Sequence, residues 1–377
     1  MKRSLVIAVG VAVAIASTIL VWADVRKERE FRRLIAVGDE ALATGETFNA
    51  IEAYSGAVAL KPKSMLAYLK RGDTYRRRRD FGAALRDLGQ AQSLDNTAPR
   101  PIELLGDANA ATGQFATAAA YYQRYLTIDD RAPAVLYKLA LSYYRAGTSA
   151  RAIEPLRRAV ALDDRSAEAQ LLLGLCLRDR GEREPALRAL RRSVEINPAM
   201  AAARQELAST YATFGRHQEA IEQLRALAAL EPARPERLVS LGLAYAKFGR
   251  HEEAVLTLGR AIERYPDVPL PYAALGRVWL QIADRQQDPA ALGKAVQALK
   301  PAADLAGASS EALALYGRAL FLSGNITQSE RVLQRAVTKI PVDPLAFRYL
   351  GEAARRLGHA MTAREADAKY ASLAPPA

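Results

Sequence analysis

"YATFGRHQEAIEQL", residues 211–224, returns 34 residues later as "YAKFGRHEEAVLTL", residues 245–258. The fold turns on whether this pair is a local duplication or the unit from which the whole chain is built. A fixed mark separates the two. Gly242 stands three residues before Tyr245, and steps of 34 back from it meet Ala208, Gly174, Ala140, Gly106, Gly72 and Gly38. Forward lie Gly276, Gly317 after a gap of 41, and Gly351 after 34 more. Other columns move in step. Twelve residues after the mark stand Ala50, Ala84, Ala118, Ala152, Ala186, Ala220 and Ala254, and just before it stand Leu105, Leu139, Leu173, Leu207, Leu241, Leu275 and Leu350. Pro62, Asn96, Pro198, Pro232 and Pro266 punctuate the unit ends. Several columns held over ten units define a repeat protein.

Each unit reads as two helices. Leu238, Leu241 and Tyr245 recur at three- and four-residue spacing, one buried helical stripe. A central glycine (Gly45, Gly113, Gly147, Gly181, Gly215, Gly249, Gly324, Gly358) suits the left-handed residue that closes a helix. A second helix, such as 219–230, ends before Pro232, because proline disfavours helical geometry in the residue preceding it. No unit alternates with period two, so the predicted class is all-α.

Unit length, large–small pairs, central glycine, alanine column and terminal proline together resemble the tetratricopeptide repeat (TPR) family. The resemblance covers 31–377, with units 31–64, 65–98, 99–132, 133–166, 167–200, 201–234, 235–268, 269–309, 310–343 and 344–377. It implies a right-handed helical-hairpin solenoid of about ten repeats whose first helices line a concave groove. The usual early Trp is replaced by Tyr68, Leu136, Tyr272 or Phe347, and Ser329 stands in the alanine column. The eighth unit carries seven extra residues, about two helical turns. Asp288 as N-cap and Pro289 as first helical residue predict an earlier start to its second helix. In the last unit Asp367 replaces a large apolar residue, as suits an array end that meets water.

The first thirty residues differ in kind and form a separate segment, 1–30. Residues 5–23 carry no charge, follow Lys2 and Arg3, and as a helix would reach about 28 Å, near a bilayer's hydrocarbon thickness. Trp22 at its end suits a membrane interface. A single-pass N-terminal anchor is expected, in a bacterial-type inner membrane. The alternative is a signal peptide cleaved after Ala23, releasing a secreted or periplasmic carrier. Lys2 and Arg3 argue for repeats outside, and Arg26, Lys27, Arg29, Arg32 and Arg33 for repeats inside. The expectation is the outer side.

Catalytic constellations are not legible. His217 and His251 occupy the same inter-helix turn 34 residues apart and His359 lies one position from the equivalent place, all displaced along the array, so they read as surface residues rather than metal ligands. Cys176, the single cysteine, reads as a small buried hydrophobe. Neither phosphate-loop, zinc-protease nor hydrolase-elbow motifs occur, and the repeats fill the chain, so neither an enzyme nor a cofactor is expected. Binding is what the array supports. The expected partner groove comprises Tyr137, Leu141, Tyr144, Arg145, Leu171, Leu175 and Arg178, an apolar floor edged by arginines. It would take an amphipathic helix or an extended segment with acidic ends. Ile35, Asp39, Lys70 and Asp73 do not fit the family's chaperone-tail clamp. The net charge is +12, and Arg76, Arg77, Arg78 and Arg79 close a helix, where cations favour the C-terminus; a contact with anionic lipid is the functional reading of this run. Nucleic acid is not expected, because aromatics do not interleave with the basic residues. The function read from the sequence is a membrane-tethered scaffold for partner proteins.

Overall fold

A computed structural model describes residues 2–373, with side chains from residue 17 onward apart from Gln286. These residues form twenty α-helices and no strand. Contacts divide the chain into two units, Met1–Ile196 and Asn197–Ala377. The first contains α1 (Lys2–Ala43), α2 (Thr47–Leu60), α3 (Met65–Arg77), α4 (Phe81–Leu94), α5 (Pro99–Ala111), α6 (Phe115–Leu126), α7 (Pro133–Arg145), α8 (Ser149–Leu162), α9 (Ala167–Asp179) and α10 (Arg183–Ile196). The second contains α11 (Ala201–Thr213), α12 (His217–Leu230), α13 (Pro235–Lys247), α14 (His251–Arg264), α15 (Pro269–Gln286), α16 (Pro289–Asp304), α17 (Ser310–Leu322), α18 (Ile326–Ala336), α19 (Pro344–Leu357) and α20 (Ala360–Leu373). Within each unit, every odd-numbered helix pairs with the next to make a hairpin, and hairpins stack in chain order. Each unit is therefore an all-α solenoid of TPR-like hairpins.

The columns of the sequence have separate physical tasks. The mark residue sets how closely two helices approach. A Cβ added to Gly242 would stand 2.6 Å from Leu258 Cγ, and one on Gly106 2.5 Å from the Tyr122 ring, against about 3.5–4.0 Å for ordinary carbon contact. The central glycine closes the first helix: Gly249 takes φ +81°, and Arg250 N–H then bonds back to the Tyr245 carbonyl at 2.9 Å. In the second hairpin Arg79 holds that place at φ +63°, with the same closure from Asp80 N–H to Tyr75 O at 3.0 Å. Alanines such as Ala84, Ala152 and Ala254 are wholly buried where the second helix meets the first. Ser329 fits this column because its buried hydroxyl donates to Gly317 O at 2.7 Å, leaving no polar atom unmet. Between these contacts lie buried leucines such as Leu88, Leu156 and Leu187, each contributing about 1.5–3 kcal/mol.

The eighth hairpin spends its added residues differently from the expectation. Asp288 does cap α16, accepting from Ala290 N–H at 2.8 Å. That helix starts ten positions before Leu299, the residue packed on Gly276, whereas α14 starts seven before Leu258. The larger share extends the first helix instead: α15 has 18 residues where α13 has 13. The first helix can lengthen because residues 282–286 continue without glycine or proline, and Gln287 alone turns left-handed at φ +53°. At the far end α20 buries only Ala363 and Ala366, and Asp367 pairs with Arg355 over Gly351. Asp367 is about half exposed, where earlier units carry a large apolar residue.

Among the described residues no helix is long and apolar enough to cross a membrane. Residues 5–16, the greater part of the expected span, lie outside the described side chains. Ile19, Leu20, Val21 and Trp22, which follow, are exposed. The helix that carries them runs without interruption into the first hairpin, where Phe31 is the first buried side chain among its described residues.

Candidate functional site

In the first unit the expected groove residues lie on two adjacent first helices. Pro133 starts α7, and Ser166 caps α9 by accepting from Ala169 N–H at 3.2 Å. Helical spacing sends Leu136, Leu139, Ala140 and Tyr143 inward and leaves Tyr137, Leu141 and Tyr144 half-buried on the neighbouring stripe. Leu171, Leu175 and Arg178 have the same spacing and partial burial on α9, which touches α7. The structure thus brings the two rows together.

It also shows that part of the patch serves packing. Tyr137, Leu141 and Tyr144 rest against the cluster of Leu139, Tyr143, Leu156 and Leu173. Tyr137 lines a recess of about 360 Å³ with Lys138, Asp163 and Glu168, and burial raises its phenol pKa. The two arginines differ: Arg145 is exposed at the end of α7, while Arg178 pairs with Asp179 at 3.2 Å. Cys176, behind Leu175, is fully buried, and burial first, then the Asp179 charge, push its thiol up to about 12. It is the inert hydrophobe the sequence indicated.

The same face carries a charged network earlier in the chain. Tyr54 O–H donates to Asp39 at 2.6 Å, and Lys70 donates to both oxygens of Asp39 at 2.7 and 2.8 Å. Two repeats on, Tyr122 donates to Asp107 at 2.8 Å, while Lys138 reaches Asp107 at 3.0 Å and Glu103 at 2.7 Å. Burial works to raise the Glu103 carboxyl, but hydrogen bonds from Lys138 and Arg100 leave it lowered. Burial raises both tyrosines, and the aspartates add to it. These groups lock one hairpin to the next. Sequence reasoning took Asp39 and Lys70 only as a mismatch to the clamp pattern, and the pairing of a tyrosine with the residue after the mark was the signal that could have revealed the lock.

The arginine run is likewise engaged. Arg76 and Arg77 share Asp73 at 2.6 and 3.1 Å, Arg78 lies 3.7 Å from the Phe48 ring centre, and Arg79 makes the left-handed turn. The histidines sit apart in their turns. His217 stacks on Phe248 with centroids 3.9 Å apart, and His359 meets Glu330 at 2.7 Å. No group of ligating side chains able to hold a metal occurs among the described residues.

A second groove segment, missed in the sequence, lies in the second unit. Val239, Leu243, Leu270, Ala273, Arg277 and Glu311 line a pocket of about 190 Å³ spanning α13, α15 and α17. Val239 and Leu243 occupy the repeat positions of Tyr137 and Leu141 three units on, and Ala273 and Arg277 those of Leu171 and Leu175. The period itself was the signal.

Comparison with known proteins agrees with the fold. Residues 36–99 match the tetratricopeptide repeat family, and residues 103–254 match the middle TPR-like domain of cilia and flagella-associated protein 70. Both matched stretches are thus of the tetratricopeptide repeat type. Among solved structures, the C-terminal part of a TPR repeat-containing protein from Cytophaga hutchinsonii is 16% identical, with 70% of this chain and 98% of that one covered at a TM-score of 0.52. MamA is 32% identical over 45% of this chain and 92% of that one, with a TM-score of 0.42. YrrB, described as a TPR protein with an unusual peptide-binding site, is 22% identical over 48% and 94%, with a TM-score of 0.44. No curated protein matches the sequence.

Proposed function

We propose that the chain is a non-catalytic scaffold that takes segments of partner proteins on the face built by its first helices. The observation that carries this reading is the return of half-buried apolar side chains at the same repeat positions, Tyr137, Leu141, Leu171 and Leu175 in one unit and Leu243 and Ala273 in the other. Partly wet apolar side chains in a row suit an amphipathic helix or an extended segment, and Arg145 at the edge suits acidic ends. Tyr144→Ala combined with Leu175→Ala tests it. The double variant should lose partners captured by the folded wild-type chain, and an unchanged set of partners would remove the groove.

We further propose that the N-terminal segment tethers the scaffold to an envelope membrane. Supporting it are the uncharged run 5–23 and the exposed Ile19, Leu20, Val21 and Trp22. A C-terminal tag, fractionation and protease treatment of cells stripped of their outer barrier test it. A full-length membrane band lost to protease means repeats outside, and one that survives means repeats inside. A soluble band shorter by the segment up to Ala23 replaces the tether with a released carrier.

A further inference from the structure

The first-helix face of the second unit changes character along α13, α15, α17 and α19. Around Val239, Leu243 and Leu270 it is apolar and recessed. One helix further on it is arginine plated on aromatic rings. Arg318 and Arg348 lie 5.7 and 5.6 Å from the centre of the buried Tyr349 ring. Arg356 lies 4.6 Å from the centre of Phe321, and the two rings are 6.0 Å apart. Guanidinium on an aromatic face keeps its edge donors directed outward while its plane is held.

Arg277 and Arg318 occupy the same repeat position on neighbouring first helices, the position held by Leu141 and Leu175 in the first unit. Each already holds a carboxylate from the adjoining hairpin, Arg277 that of Glu311 and Arg318 that of Asp284. Glu311 and Asp284 are about half exposed, at 51% and 47%. Exposed ion pairs of this kind contribute little, about 0–1 kcal/mol, so an incoming carboxylate can exchange with them. Arg318 Nε–H, in addition, meets no acceptor among the described residues.

We infer that this face binds an acidic peptide segment whose carboxylates replace Glu311 and Asp284 on Arg277 and Arg318 while a neighbouring apolar side chain enters the Val239–Leu243–Leu270 pocket. The inference rests on the reading of the first-helix face as a peptide groove and gives that groove a ligand chemistry. Arg318 lies seven residues beyond the pocket residue Glu311 on α17, about 10 Å along the helix, which an extended chain crosses in about three residues. The segment therefore carries acidic residues next to its apolar residue and about three positions beyond it.

The test uses the full chain and a fluorescein-labelled peptide with one leucine, a glutamate beside it and another three positions on. Anisotropy should report binding that weakens as salt rises. Arg277→Gln with Arg318→Gln should weaken it by about fivefold per lost contact, the factor for roughly 1 kcal/mol. Glu311→Gln and Asp284→Asn should tighten it by about twofold or more, because the internal competitor is gone. Loss of folding cannot produce tightening, so this pair of variants guards the result. No binding at about 1 mM peptide, or binding indifferent to all four substitutions, overturns the proposal. A lysine-for-glutamate peptide that binds as well also overturns it, yet leaves the apolar groove reading standing.

Discussion

Gly276→Ala is the substitution that most directly questions the close helix approach on which every hairpin depends. A Cβ at Gly276 would stand 2.2 Å from Leu299 Cγ, 2.5 Å from Cδ2 and 2.9 Å from Cδ1. Ordinary contact needs about 3.5 Å, so α15 and α16 must separate by roughly 1 Å or Leu299 must leave its rotamer. Leu299 is fully buried, so any shift disturbs its packed neighbours. Against this, alanine is favoured over glycine in a helix interior by about 1 kcal/mol. Overpacking of this severity costs about 3 kcal/mol, so the net loss is about 2 kcal/mol. Gly72→Ala is the control: its nearest clash, Leu88 Cγ at 2.9 Å, needs only a small shift, and the gain in propensity should leave it near neutral. Ala140 and Ala208 already occupy this column in two other hairpins, so the approach distance, and not the position, sets the sign. A repeat array does not unfold as one cooperative block, so the readout is native-state amide exchange in α15 and α16. About thirtyfold faster exchange there is expected for Gly276→Ala, with partial recovery on adding Leu299→Ala. Exchange as slow as wild type would refute the close approach.

Arg79→Gly should stabilise α3 and α4 by about 0.5 kcal/mol, since relief of a left-handed side chain outweighs glycine's extra chain entropy and the lost helix-end charge; slower exchange in those helices checks it. Tyr122→Phe should cost about 1 kcal/mol at neutral pH through the bond lost to Asp107. Because the folded pKa values of Tyr54 and Tyr122 are raised above the usual 10, the stability they confer is complete below pH 10 and declines as pH rises beyond it. Thermal melts between pH 8 and about 11 should show that decline, smaller in Tyr122→Phe. Cys176 should resist a thiol reagent at pH 8 in the folded chain and react in denaturant, and rapid native labelling would contradict its burial.

The period exposed most of the fold because each column does one repeated physical task. Gly242 on Leu258, the glycine turn at Gly249 and the buried Ala254 follow from position alone. What escaped were places where a residue type changes its task. Arg79 read as charge, yet it substitutes for a turn glycine. Tyr54 and Tyr122 stand in an apolar column, and only their proximity to Asp39 and Asp107 shows that the phenol oxygen is used. The seven residues added to the eighth hairpin were visible, but their division between α15 and α16 depends on where Gln287 turns, which is a tertiary choice. In the candidate groove, Tyr137 and Leu141 were identifiable as first-helix residues. How much of each packs against the next hairpin was not, because spacing fixes direction but not depth.

The unbroken α1 has a mechanical consequence. Its 42 residues amount to about 63 Å of helix, and the side chain that seats it in the first hairpin, Phe31, lies well inside that length. With neither glycine nor proline from Val11 to Val37, nothing in that stretch acts as a universal joint. Torque or tilt applied at Val11 therefore reaches the first hairpin as through a drive shaft, and a few glycines inserted near Asp24 would be a clutch that disengages it.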